Sequence, residues 1–171
     1  YPIDENMVQS MGVGIEQRYQ NLLQVRIPLA KLAAISRSLA GLEMIRLPFY
    51  PFEVVQSQGV GIMGASDMQA LGSTGQGVKV AIIDLGFQNL TAAKNAGEVP
   101  SNVITVDYSG TGIETTTPHG TAVAEVVHDM APDAQLYLLK VGSDVGLGYA
   151  KDYCIANGIR VINHSVAWLN V

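Results

Sequence analysis

With 171 residues, 48% of them hydrophobic and only 15% charged, the chain can bury a substantial core, and its composition excludes a disordered polypeptide. A net charge of −5 with no block of Lys or Arg argues against a nucleic-acid binder or a membrane-surface reader. The longest apolar runs are too short to cross a bilayer, and 18 Gly with 6% aromatics suit layered α/β packing. Cys154 is the single cysteine, so no intrachain disulfide can form and cysteine usage leaves the compartment open. No basic-then-apolar leader pattern opens the chain at Tyr1, which fits a processed mature form or a trimmed one.

In chain order, residues 1–20 are weakly patterned, with a short helix expected around Glu16–Gln20. LLQVRI (Leu22–Ile27) alternates like a half-buried strand. Pro28 then opens a helical stretch that Gly41 ends, and LEMIRL (Leu42–Leu47) alternates again before Pro48 and Pro51. These elements form a strand–helix–strand unit, and residues 1–58 read as a small α+β segment. Residues 59–77 read as a Gly/Ser-rich connector around a helical patch, Ala65–Leu71. From residue 78 to 171, strand and helix alternate. Strands are expected at Val78–Ile83, Asn102–Asp107, Gln135–Val141 and Arg160–Asn163, and helices at His119–Met130 and Gly146–Asn157. Apolar strands alternating with helices predict an α/β fold, a parallel sheet flanked by helices.

GVGIMG (Gly59–Gly64) fits the G-x-G-x-x-G pattern of dinucleotide binding, and Asp84 lies 20 residues beyond Gly64. The details fit poorly. Gln56, Ser57 and Gln58 separate the preceding apolar run from the first Gly, and the following helix is too short for an ordinary crossover. A flexible connector is the better reading, with an NAD-binding oxidoreductase kept as a remote alternative.

VKVAIIDLGF (Val78–Phe87) runs a buried strand straight into a carboxylate, and burying an unpaired charge is costly. The other half of the pattern is PHGTAVAEVVHDM. On a helix from His119, the positions of His119, Val123, Val126, Val127 and Met130 share one face, with Glu125, His128 and Asp129 on the other. His119 then heads that helix where the C-terminal ends of parallel strands converge, the edge on which such sheets build sites. Gly120 leaves space beside the imidazole, and Thr121 can satisfy a free helix N–H. An Asp holding one ring nitrogen of a His, with the other free to take a proton, is two thirds of a Ser/His/Asp triad.

Four motifs in this order resemble the subtilisin-like serine proteases. VAIIDLGF is similar to the aspartate motif of that family, HGTAVAEVV to its His-Gly-Thr-x-Val-Ala-Gly motif, APDAQLYLLKV to its Ala-Pro-x-Ala-x-Leu strand, and VINHSVA to the strand that pairs with substrate backbone. The resemblance covers about residues 75–167. It implies that Asp84 orients His119, that His119 serves as general base and then general acid, and that Ser165, Val166 and Ala167 line the substrate strand through main-chain groups. It further implies a peptide or protein substrate, a secreted or periplasmic location, and a fold of which residues 78–171 are the N-terminal part. Residues 20–52 resemble, more weakly, a propeptide that assists folding and inhibits; a recognition domain would read much the same.

The family's Gly-Thr-Ser nucleophile motif does not occur in the chain. Ser165 occupies the substrate-strand position rather than that of a nucleophile, so the resemblance implies a serine on sequence outside this chain. A cleaved protease whose second polypeptide carries the serine, a fragment, and an inactive binding or scaffolding relative all remain open. Leu85, Glu125 and Ala167 depart from the usual Ser/Thr, Gly and Gly. His128 and His164 read as structural or surface residues, and Asp107 as a strand-end residue. Trp168 reads equally as cleft lining or core cover. No metal-ligand spacing is present, and no cofactor is expected. Structural Ca²⁺ is implied only by resemblance, without identifiable ligands.

Overall fold

The computed structural model describes residues 4–48, 52–53 and 62–167. The chain divides into two compact units, Tyr1–Phe49 and Tyr50–Val171. Among the described residues, no helix is long and apolar enough to cross a membrane.

In the first unit, α1 (Glu5–Ser10) starts where the Asp4 carboxylate accepts hydrogen bonds from Asn6 N and Met7 N. It leads into an antiparallel hairpin of β1 (Gly14–Tyr19) and β2 (Leu22–Arg26), followed by α2 (Leu29–Ser38). The expected helix at Glu16–Gln20 is therefore a strand. Tyr19 pairs with Leu22 across a tight turn, and Gln20 takes a φ of +51° there. Such hairpin turns require positive φ, but Gln-Asn lacks the glycine that usually announces it. LEMIRL is not a strand either. Leu42–Leu47 has no regular structure; Met44 and Leu47 are exposed, and within it only Ile45 reaches the small core of Val8, Val13 and Ile35.

The second unit is the α/β fold expected: a four-stranded parallel sheet with helices on both faces. β4 (Lys79–Asp84), β5 (Ile104–Asp107), β6 (Gln135–Lys140) and β7 (Val161–His164) lie in the order β5-β6-β4-β7. Strand periodicity sorts the two faces. Val80, Ile82, Leu136 and Leu138 pack with α4 (Leu90–Ala96) and α5 (His119–Met130), through Leu90, Ala93 and Ala124. Ala81, Ile83, Tyr137 and Leu139 face α6 (Asp144–Ala156), through Ala150 and Cys154. Both central strands are buried almost throughout, as parallel strands covered on two sides must be. Serine opens α6, because Ser143 Oγ accepts from Gly146 N at 3.2 Å.

Several boundaries differ from the expectation. α4 was not expected: it spans only seven residues, closes at Gly97 with φ +82°, and is held by Leu90 and Ala93 rather than by a long apolar stripe. The helical patch at 65–71 is α3 (Ala65–Ala70). On α5 the buried positions are Gly120, Thr121 and Ala124, with Val123 and Val127 beside them, so the face is turned away from Val126 and Met130. The reason is steric: Gly120 lets the helix approach the sheet at that point, and the smallest residues follow the closest line.

β7 is an edge strand among the described residues. Val161 and Ile162 point to opposite faces and are 47% and 44% exposed. Beyond it, β8 (Val166–Ala167) leaves the sheet and pairs antiparallel with β3 (Phe52–Glu53), Val166 opposite Glu53 and Ala167 opposite Phe52.

Candidate active site

The C-terminal edge of the sheet gathers the chemistry. Asp84 is the last residue of β4, with its side chain on the face covered by α5, and it is completely buried. Its Oδ2 lies 2.8 Å from His119 Nδ1, and its Oδ1 accepts the Leu85 N–H at 2.7 Å. The His119 side chain is 13% exposed, so the pair is nearly dry but opens to solvent at the ring. A buried carboxylate bound at both oxygens holds Nδ1 as the donor. That tautomer leaves the Nε2 lone pair for a proton.

His119 is fixed from below by the start of α5. Pro118 precedes the helix, and Thr117 Oγ1 accepts the His119 N–H at 3.2 Å. Thr121, the residue expected to cap, does not; it faces the sheet, and its hydroxyl is buried with no hydrogen-bond partner among the described residues. Gly120 N donates to Gly86 O at 3.0 Å, locking the helix start to the turn after Asp84.

Ser165, Val166 and Ala167, expected to line a substrate strand, lie in the stretch from β7 to β8. Ser165 Oγ accepts from Asn163 Nδ2 at 3.0 Å, Val166 is buried, and Ala167 is partly buried. Antiparallel pairing of Val166 and Ala167 with β3 shows that this backbone edge can take an extended segment. Of the Gly59–Gly64 motif, Gly59 to Gly61 lie outside the described residues, as does Trp168. Gly64 adopts φ +71° before the six-residue α3, and the Asp84 carboxylate is committed to His119.

Two charged residues complete the edge. Asp107 ends β5, and its carboxylate accepts from Ser109 N, Ser109 Oγ and Gly112 N. Burial works to raise its pKa, but those hydrogen bonds and Lys140 outweigh it and hold the carboxyl below the ordinary value. Lys140, which the sequence reading passed over, ends β6 and is fully buried. The signal was available: one Lys closes the otherwise apolar LYLLK, in the same strand phase as Asp84.

Elsewhere, Cys154 is buried and its thiol is pushed up by desolvation, which disfavours a thiolate nucleophile. His164 is shifted down, also by desolvation. No group of three or more His, Cys, Asp or Glu that could hold a metal occurs among the described residues.

Glu125 is pushed above the ordinary carboxylate range by burial, then by Glu98 and by Asp129 four residues on. A carboxyl whose folded pKa is raised favours folding only when protonated, so its ionisation costs stability once pH exceeds the unfolded value. Glu125→Gln should therefore stabilise the chain at pH 7 by about 0.2–0.5 kcal/mol, the usual cost of like charges at this helical spacing. Thermal unfolding at pH 7 and pH 4 checks this: the gain should vanish at the lower pH.

No protein-family model matches the chain. A carboxylate–imidazole pair at a parallel-sheet edge, with the outer ring nitrogen without a partner among the described residues, is equipped to remove a proton from a hydroxyl and return it to a leaving group.

Proposed function

We propose that this chain carries the Asp/His half of a subtilisin-type serine endopeptidase site, with the nucleophilic serine supplied by sequence outside it. The observation that carries the reading is the 2.8 Å contact between buried Asp84 and His119 Nδ1. In this reading Asp84 orients His119, and His119 takes the serine proton and later protonates the leaving amine. Ser165, Val166 and Ala167 form the strand against which a peptide extends, a role supported by the antiparallel pairing that Val166 and Ala167 already make. The edge position of β7, with apolar side chains exposed on both faces, supports a further polypeptide covering it, because parallel strands are ordinarily buried on both sides. The implied substrate is a peptide or protein, and the implied location secreted or periplasmic. An inactive binding module on the same framework is the competing reading.

Denaturing mass spectrometry of the purified protein, combined with a serine-directed fluorophosphonate, separates the two. A stoichiometric companion polypeptide that carries Gly-Thr-Ser and takes the label supports the peptidase, and His119→Ala should then abolish labelling. A single unlabelled species supports the inactive module. Labelling indifferent to His119→Ala would remove the pair from the chemistry.

By their resemblance to a propeptide, residues 20–52 are a candidate inhibitory segment, and Phe52–Glu53 occupies the edge of β8 that a substrate would use. Removing a competing strand worth about 1.4 kcal/mol should raise the labelling rate about tenfold. Deletion of residues 20–53 is therefore expected either to accelerate labelling or, if the segment assists folding, to prevent recovery of folded protein. A folded variant with unchanged rate would count against an inhibitory role.

A further inference from the structure

Lys140 is a buried cation that the proposed chemistry does not use. It is 1% exposed, and strand register sets it between Asp107 and Asp84 across the C-terminal edge of three adjacent strands. Its ammonium donates to Thr111 Oγ1 at 2.7 Å, to Gly112 O at 2.6 Å and to Thr115 Oγ1. Three protons meet three acceptors, and a carbonyl can only accept. The nitrogen is therefore saturated as an ammonium and is not a base poised to activate either threonine. Desolvation lowers its pKa from the usual lysine value against the opposing pull of Asp107, so burying this charge costs stability.

All three acceptors belong to the connection between β5 and α5, and the far side of that connection grips the site. Ile113 O accepts from Phe87 N at 3.1 Å, and Thr117 O from Gln88 N at 2.9 Å. Thr117 Oγ1 accepts from His119 N. Gly86 lies so close to Thr115 O and the Thr117 backbone that no Cβ fits between them. Thr116, β-branched, is held at φ +79°, a conformation such residues avoid. The loop is clamped between the Lys140 ammonium on one side and the turn after Asp84 on the other.

We propose that Lys140 is a positioning residue for the Asp84–His119 pair: its ammonium holds the Thr111–Thr115 loop onto the Gly86 turn, and the loop sets the start of α5 and the His119 ring. This deepens the reading of the pair as working machinery and rests on it for its catalytic meaning, but its structural content is testable without activity. Met keeps the length of the side chain and removes the charge whose burial is costly, while the exposed Thr111 and Thr115 can turn their hydroxyls to water. Lys140→Met should therefore loosen the loop without melting the sheet.

The experiment uses the full chain and reads amide hydrogen exchange together with the His119 ring tautomer by heteronuclear NMR. In Lys140→Met, exchange at Phe87, Gln88 and Gly120 should accelerate about tenfold or more, as for a newly accessible local opening, while Ile82 and Leu138 keep their protection. The fraction of His119 protonated at Nδ1 should fall as its geometry to Asp84 relaxes. Wild-type exchange at Phe87, Gln88 and Gly120 would overturn the proposal. So would uniform acceleration across the sheet, or a loosened loop with an unchanged tautomer. If Lys140→Met does not fold, Lys140→Gln decides by the same criteria, since it keeps a polar side chain but removes the charge and at least one of the three donated hydrogen bonds. Failure of wild-type protein to label with fluorophosphonate would count against the peptidase reading alone and would leave this test intact.

Discussion

Asp84→Asn is expected to lower the fluorophosphonate labelling rate of the assembled protein by about four orders of magnitude while the chain stays folded. The orientation of the new amide follows from the carboxylate's contacts with Leu85 N and His119 Nδ1. Leu85 N–H needs an acceptor at the Oδ1 position, so the amide oxygen stays there and its NH₂ group faces His119. Nδ1 must then accept rather than donate, which moves the ring proton to Nε2, the nitrogen that has to take a proton. Side-chain volume and the Leu85 bond are both retained, so the loss should fall on reactivity and not on solubility or circular dichroism. Labelling within about tenfold of wild type would show that Asp84 does not set the tautomer, since a wrong tautomer costs far more. Asp84→Ala is a poorer probe, because it also removes a buried partner and opens a void.

Gly120→Ala is expected to cost substantial stability through a single added methyl. A Cβ there would meet Gly86 O at 2.6 Å, Phe87 Cε1 at 2.7 Å and Asp84 Cβ at 2.8 Å. Two of these belong to backbone or to the base of a buried side chain and cannot swing aside. Either α5 lifts from the sheet or the turn after Asp84 shifts, and overpacking of this kind costs about 1–3 kcal/mol. Both adjustments also carry His119 away from Asp84, so labelling should fall with stability. Gly146→Ala, in α6, is the matched control. Its Cβ would meet Tyr108 Cβ and Tyr108 O at 3.5 Å and Val141 Cβ at 3.7 Å, ordinary contacts. Replacing a helical glycine where space exists should leave stability unchanged or raise it by up to about 1 kcal/mol. Denaturant unfolding of the two variants measures the contrast; equal midpoints would show that the helix–turn approach is not tight.

What local pattern could announce was legible in the chain. The strand at Val78–Ile83, its terminal Asp84, the helix beginning at His119 and the strand at Gln135–Val141 all come from apolar periodicity and end signals, which act over a few residues. The α/β class follows from their alternation. By contrast, α4 exists because Leu90 and Ala93 find the sheet, and the Gly14–Tyr19 hairpin strand exists because Leu22–Arg26 pairs with it. Neither depends on its own pattern alone. The stripe on α5 was misplaced because periodicity counts hydrophobic residues, whereas the tightest packing selected Gly120, Thr121 and Ala124 for their small size.

The sequence by itself therefore determined the class of fold, the residues at the strand and helix ends, and a carboxylate and an imidazole suited to meet. Only the tertiary structure decided that they meet at 2.8 Å with Nδ1 toward the carboxylate. It alone showed that Lys140 is buried beneath the loop beside them, and that Val166 and Ala167 pair with Phe52 and Glu53. The physical reason is range. Periodicity and capping act between neighbours in the chain, whereas hydrogen-bond partners 28 or 35 residues apart are chosen by how the strands, the glycine contacts and the loop between them pack together.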